Sequence, residues 1–393
     1  MTRLDGQYDV VIVGGGIMGS SVAYFLTHEA AFTGTVAIIE RDLSFAECST
    51  GRSAGGLRQQ FSTPENIQMS LFGLEFIRGL KERFGPDADV SFREQGYLML
   101  ASDTGRDVLA ESVELQRSYG ADIVLLDSDG LNKRFPWLNT EGYVAGAFGQ
   151  SGEGWLDPFG LMTLLRKAAQ ARGATVINGE VSGFDTTDGH IEAVLLADGR
   201  RIGCGKVVNA AGARAGKVGQ MLGMDIPVGP RKRFVFVVDC PQAPHDAPLT
   251  IEPTGLYFRP EGHQFITGLG PLSDDEEWET DTLDVDHNWF EEQIWPRLAE
   301  RVKAFETLKS TGAWAGYYDY NDFDQNAFVG TVPTYDNLYL ANGSSGHGLQ
   351  HGPASGRAIT ELIVHGAYQT IDLSRFSYER YLRNEPIFEK NVV

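Results

Sequence analysis

Gly14, Gly16 and Gly19 form a Gly-x-Gly-x-x-Gly pattern at the point where a β-branched run ends and a helical pattern begins. Tyr8 to Val13 reads as a short strand buried on both faces of a parallel sheet. Ser20 to Thr27 has helical spacing, and Val36 to Glu40 reads as a second buried strand. This βαβ unit leaves little choice of fold. Gly14 permits a tight turn, Gly16 lets backbone approach a pyrophosphate, and Gly19 lets the helix pack on the sheet. The helix start offers unpaired N–H groups and a favourable dipole to phosphates, so Ile17 and Met18 join the expected binding set. Glu40, 21 residues after Gly19, is placed to accept hydrogen bonds from ribose hydroxyls and to repel a 2′-phosphate. The pattern predicts a dinucleotide other than NADP, without choosing between NAD and FAD.

The rest of the chain is read against that start. A helix is expected from Pro64 to Phe84, another from Leu161 to Arg172, and a last one from about Pro353 to Val364 with Pro353 in its first turn. Lys206 to Asn209 and Leu338 to Ala341 read as buried strands. Ser91 to Ala101, Arg233 to Asp239 and Leu256 to Gly270 read as antiparallel strands joined by turns. The acidic cluster Asp274, Asp275, Glu276, Glu277, Glu279 and Asp281 reads as a solvated loop. Nucleotide-type segments thus recur at the start, middle and end of 393 residues. The expected assembly is a discontinuous nucleotide domain of residues 1–90, 142–226 and 325–393. A second, mostly antiparallel domain of residues 91–141 and 227–324 is threaded through it.

Charge and cysteine usage exclude several function classes. With 33 Lys and Arg against 53 Asp and Glu, the formal charge is −20, which argues against nucleic acid or an anionic membrane surface as partner. Three cysteines, Cys48, Cys204 and Cys240, with no CxxC pair, exclude a disulfide framework and fit a reducing, cytoplasmic setting. The uncharged stretch after Asp9 is broken by glycines and serines, so no transmembrane segment or signal peptide is expected. His347 and His351 have chelating spacing but no neighbouring carboxylate or thiol, so no metal site is expected.

Serial motifs extend the reading by resemblance. Glu40-Arg41, the segment Ser49-Thr50-Gly51-Arg52-Ser53-Ala54-Gly55-Gly56, Val207 to Gly212, and Gly346-His347-Gly348-Leu349 resemble, in order, those of the D-amino-acid oxidase superfamily. That group includes glycine oxidase, sarcosine oxidase, D-arginine dehydrogenase and the catalytic subunit of L-proline dehydrogenase. The resemblance covers essentially the whole chain. It implies an α/β protein, α+β overall: a Rossmann-like FAD-binding domain with an inserted, mostly antiparallel β-sheet substrate domain. Within the superfamily, Ser53 to Ser62, Pro64 to Gln68, Trp314 to Tyr320 and Gln369 to Ser374 are most similar to a mitochondrial subgroup, the FAD-dependent oxidoreductase domain-containing proteins. That subgroup is associated with assembly of respiratory complex I. This sequence lacks its transit peptide, as expected of a bacterial version or a trimmed chain.

What the resemblance implies for the site is specific. Gly14, Gly16, Ile17, Met18, Gly19, Glu40 and Arg41 would bind FAD together with Ser49, Thr50, Arg52, Ser53, Ala54 and Gly55. Val181 would meet the adenine through its backbone, and Ala210, Ala211 and Gly212 would close under the adenosine half. Gly346, His347, Gly348, Leu349 and Gln350 would face the flavin, their N–H groups favouring negative charge at its N1–C2=O edge. No cysteine stands near Trp314 to Tyr320, so the flavin is expected to be non-covalent. Arg58 would hold a substrate carboxylate, while Tyr257, Tyr317, His347 and Gln350 would complete the catalytic set. The expected activity is oxidation of an amino acid or secondary amine at its C–N bond, by hydride transfer to flavin N5, giving an imine that hydrolyses. The acceptor would be O2 or a redox partner. The alternatives are a flavin-containing assembly factor for a respiratory complex, or the catalytic subunit of a heteromeric dehydrogenase. Two departures stand out: Tyr317-Tyr318 occupies the place of a family arginine, and Gln350 that of a lysine.

Overall fold

In a computed structural model, residues 5–272 and 280–390 are described. The chain builds two large sheets. In the first, Phe328–Thr331, Leu338–Asn342, Arg201–Asn209, Gly6–Val13, Val36–Glu40 and Thr175–Asn178 lie side by side, with the hairpin Val181–Thr187 and His190–Leu196 joined through Arg201–Asn209. The four pairings around Gly6–Val13 and Val36–Glu40 are parallel. Alternation explains why these strands are apolar throughout. Val10, Ile12, Val36 and Ile38 enter one hydrophobic cluster, while Val11, Val13, Ala37 and Ile39 enter another on the opposite face.

The helices Ile17–His28, Pro64–Arg78, Pro158–Ala171 and Gly348–His365 bury their apolar faces in the first of those clusters. The first and last pack closely because a Cβ on Gly356 would lie 2.6 Å from the Ser21 backbone carbon.

The second sheet runs Lys309–Asn321, Val228–Asp239, Gln264–Gly268, Tyr257–Glu261, Leu249–Ile251, Tyr97–Ala101, Ala145–Gly149 and Ile123–Asp127. All its pairings are antiparallel except Leu249–Ile251 with Tyr97–Ala101. This mixed architecture is the expected fold class.

Several sequence expectations need correction. The Pro64–Phe84 helix is interrupted at Gly79 into Pro64–Arg78 and Leu80–Phe84. Regular pairing in the 91–101 segment starts only at Tyr97, with Arg93 making a single bridge to Trp155. Ala145–Gly149 pairs in the second sheet, although the sequence reading assigns it to the nucleotide segments. It sits between Tyr97–Ala101 and Ile123–Asp127, a placement set by pairing between segments distant in sequence. The last helix starts at Gly348, so Pro353 lies inside it rather than in its first turn. Pro353 is accommodated there at the loss of one backbone donor, and the first part of the helix packs on Ile17, to which a Cβ on Gly352 would come within 2.7 Å. Of the acidic cluster, Asp274 to Glu277 and Glu279 lie outside the described residues. Asp281 pairs with Lys217 at 3.1 Å.

Candidate active site

A cavity of about 700 Å³ opens between the two sheets. Its floor is the glycine turn. Gly14 has φ +102°, and a Cβ there would run into the Ala210 carbonyl; one on Gly19 would run into the Gly14 carbonyl. Gly16 at the helix start has no side chain to cap it, and the Thr50 hydroxyl stands in, its Oγ1 accepting from the Ile17 N–H at 3.1 Å. Glu40 sits beneath, accepting from the N–H groups of Gly15 at 2.8 Å and Asp42 at 3.0 Å. The 49–56 loop is stitched to the second sheet. Arg52 Nη1 donates to the Ala315 carbonyl at 2.8 Å, Trp314 Nε1 to the Arg52 carbonyl at 2.9 Å, and Arg259 Nη2 to the Ala54 carbonyl at 2.7 Å.

Nearly all the expected residues meet here. Gly14, Gly16, Ile17, Met18, Glu40, Arg41, Ser49, Thr50, Arg52, Ser53 and Ala54 line the cavity, as do Ala210 to Gly212 and Gly346 to Gln350. Arg58, Tyr257 and Tyr317 line it too. Gly19 and Gly55 do not; they make the turns close, since a Cβ on Gly55 would run into the Leu156 carbonyl. Val181 is also absent from the lining, being packed into the hydrophobic cluster behind the first sheet.

Arg58 is the unusual member. It is 7% exposed and, among the described residues, makes no ion pair; its Nε has no hydrogen-bond partner. Its guanidinium lies 4.6 Å from the Phe61 ring centroid and 5.9 Å from that of Tyr97. Nη2 reaches His347 Nε2 at 3.3 Å, and the Arg58 N–H donates to Gln350 Oε1 at 2.7 Å. Burial, then Arg58, then His351 hold His347 well below the ordinary imidazole range. Burial, followed by Arg58, pushes His351 down to about 3, and its Nε2 lies 3.0 Å from Ser70 Oγ. Both rings are therefore neutral at ordinary pH, leaving Arg58 as the positive charge of this corner.

The two tyrosines after Gly316 part company. Strand alternation sends them to opposite faces. Tyr318 approaches Tyr257, Tyr97 and Gly346, with Arg233 5.0 Å over its ring. Tyr317 turns its unpartnered hydroxyl toward Arg41, Glu47, Arg214 and Asp281, at the end of the cavity where Glu40 lies. Tyr317 and Tyr318 thus line different parts of the cavity, and Tyr318 was not among the expected residues; the adjacent tyrosine pair was its only signal. Tyr97 was also missed, because it reads as an ordinary core strand residue.

The cradle fits a flavin dinucleotide. Closed glycine turns, a helix start at Gly16 and two buried polar atoms without partners, Arg58 Nε and Tyr317 Oη, all border one space. Such a cleft between a parallel nucleotide sheet and an antiparallel roof defines a dinucleotide-dependent oxidoreductase. More particularly, the chain belongs to the DAO family of FAD dependent oxidoreductases, whose model matches residues 9–362, and FAD is its cofactor.

Two curated relatives and one solved structure give the range of similarity. FAD-dependent oxidoreductase domain-containing protein 1 of Xenopus laevis is 43% identical, over 98% of this chain and 85% of that protein. Sarcosine oxidase subunit beta of Rhizobium meliloti is 26% identical, over 98% and 91%. L-proline dehydrogenase from P. horikoshii superposes with a TM-score of 0.87 at 27% identity, over 98% of this chain and all of that one.

Among the described residues, no helix is long and apolar enough to cross a membrane, and no group of three or more metal-ligating side chains assembles. Cys204 and Cys240 are packed in cores, and Cys48 lines the cavity beside Gly16 with its thiol raised by burial.

Proposed function

We propose that this chain oxidises the C–N bond of an amino acid or of a secondary amine carrying a carboxylate, releasing an imine that hydrolyses in water. The observation that carries this reading is Arg58, buried and without an ion pair against the cavity. An unpaired buried guanidinium is costly unless an anion completes it, and a carboxylate matches its planar donor fork. Bound FAD supplies the hydride acceptor.

The chain's residues do the positioning. Gly14 to Met18, Glu40 and the 49–54 loop hold the dinucleotide without a covalent link. Arg58 fixes the carboxylate end, and Tyr97, Tyr257 and Tyr318 keep water from the reacting carbon. The uncapped start of the Gly348–His365 helix faces the cavity and favours negative charge there. His347, neutral, accepts a hydrogen bond from Arg58 and leaves its positive charge to the ligand.

Anaerobic addition of sarcosine, proline and D-amino acids to the FAD-loaded protein should bleach the visible flavin band. A broad amine and amino-acid panel that leaves the flavin oxidised would remove the proposal. Release of the flavin by acid precipitation checks the absence of a tether. The name of the Rhizobium relative, a subunit, supports a second reading as one subunit of a heteromeric dehydrogenase. Turnover with an artificial dye but not with O2 would favour it.

A further inference from the structure

Glu153 is fully buried next to the site and has no part in the chemistry above. Gly56 pairs with Trp155 and Leu57 with Gly154 in an antiparallel bridge, so Glu153 and Arg58 flank the same end of that pair. Its Oε1 accepts from the Gln59 N–H at 2.6 Å and its Oε2 from Gln60 Nε2 at 2.7 Å. The carboxyl thus holds the two residues that follow Arg58. Space has been made for it, since a Cβ on Gly149 would run into Oε2. Charged and titratable groups around it are few. Arg58 faces it from the 56–60 segment and Tyr97 from its strand, while Glu94 accepts the neighbouring Gly152 N–H at 2.6 Å.

We propose that Glu153 is a positioning residue for Arg58, and that its carboxyl takes up a proton when a carboxylate ligand binds Arg58. This rests on the reading of Arg58 as the carboxylate anchor. In the empty site, the ionised Glu153 makes no ion pair with Arg58 and offsets its charge only in part, through space. An arriving carboxylate takes over that compensation and repels Glu153, which protonates. Geometry makes the coupling, and the titration range makes it measurable: burial pushes the Glu153 carboxyl up to about 7, against a smaller lowering by Gln59, Gln60 and Arg58. By reciprocity, a ligand that promotes protonation binds more tightly where the proton is already present. Carboxylate affinity should therefore be highest at low pH and fall as pH rises through about 7.

The probe is cyclopentanecarboxylate, titrated into FAD-loaded protein and followed by calorimetry and by the flavin difference spectrum. Between about pH 6 and about pH 8.5 its affinity should weaken by about tenfold, the equivalent of raising the Glu153 carboxyl by about one pH unit on binding. Near pH 7, calorimetry in two buffers of different ionisation enthalpy should register proton uptake. Glu153→Gln should abolish both the slope and the uptake, and Glu153→Asp should restore them in part. The uncharged cyclopentanecarboxamide should show neither. An unchanged slope in Glu153→Gln, an equal slope for the amide, or no proton uptake by the wild type overturns the proposal. If Glu153→Gln does not retain FAD, the wild-type uptake and the Glu153→Asp profile decide alone: uptake must be present, and the midpoint must move. The two readings fail differently. No binding by the wild type, or equal binding by Arg58→Ala, overturns the Arg58 reading and this proposal with it. Binding through Arg58 with a Glu153-independent slope overturns only this one.

Discussion

A guanidinium enclosed by Phe61, Tyr97 and His347 is a local loss that an anionic ligand turns into specificity. Arg58→Ala should raise KM for an amino-acid substrate by about a hundredfold, on the order of 3 kcal/mol for a charged hydrogen-bonded pair, with a smaller effect on kcat. Arg58→Lys should recover part of this, because it keeps the charge and loses the fork. Steady-state kinetics of the two variants check the order. A second residue-scale prediction concerns pH. Burial pushes Asp319 up to about 6 and Glu153 up to about 7. A carboxyl raised on folding contributes stability that is present below its unfolded-state value and lost as pH rises through the folded one. Thermal unfolding of the FAD-loaded protein should accordingly show Tm falling between about pH 4 and about pH 7. Asp319→Asn should remove part of the fall, since its carboxamide oxygen can still accept the Ser344 N–H that the aspartate holds at 2.9 Å. A Tm rising over that range would contradict the assignment.

At the scale of elements, the site depends on helices that approach closely through glycine. A Cβ on Gly356 would lie 2.5 Å from the Ser21 Cβ and 2.6 Å from its backbone carbon, so the Ile17–His28 and Gly348–His365 helices cannot keep their separation with alanine there. Both helices begin on the cavity, at Gly16 and His347. Gly356→Ala should lower Tm by several degrees, consistent with an overpacking cost of about 1–3 kcal/mol, and should also weaken FAD retention measured by gel filtration. Normal retention with a lowered Tm would mean that the helix starts do not move together. The first helix was legible because its glycine spacing is local. The start of the last was misplaced because Pro353 looks like a first-turn residue until Gly352 is seen packed on Ile17.

The whole molecule holds its cofactor cleft by joining two sheets across one loop. Arg259 belongs to the second sheet, is 5% exposed, and donates from Nε and Nη2 to the Ala54 carbonyl at 3.0 and 2.7 Å. Arg259→Ala should free the 49–56 loop and speed FAD release by about tenfold, near the 1.4 kcal/mol of a net hydrogen bond to a charged group. Recovery of free-flavin fluorescence after dilution measures it, and an unchanged rate would show that the loop is held elsewhere.

Short-range rules sufficed for the nucleotide floor: the turn at Gly14, the helix start at Gly16, the strand ending at Glu40 and the apolar parallel strands all follow from spacing within about forty residues. The roof followed different physics. Which of Tyr317 and Tyr318 faces Tyr257, how Ala145–Gly149 joins Tyr97–Ala101, and why Glu153 stands behind Arg58 depend on register between segments far apart in sequence. A shift of one residue in such a pairing reverses every side chain, and only the packed molecule fixes it.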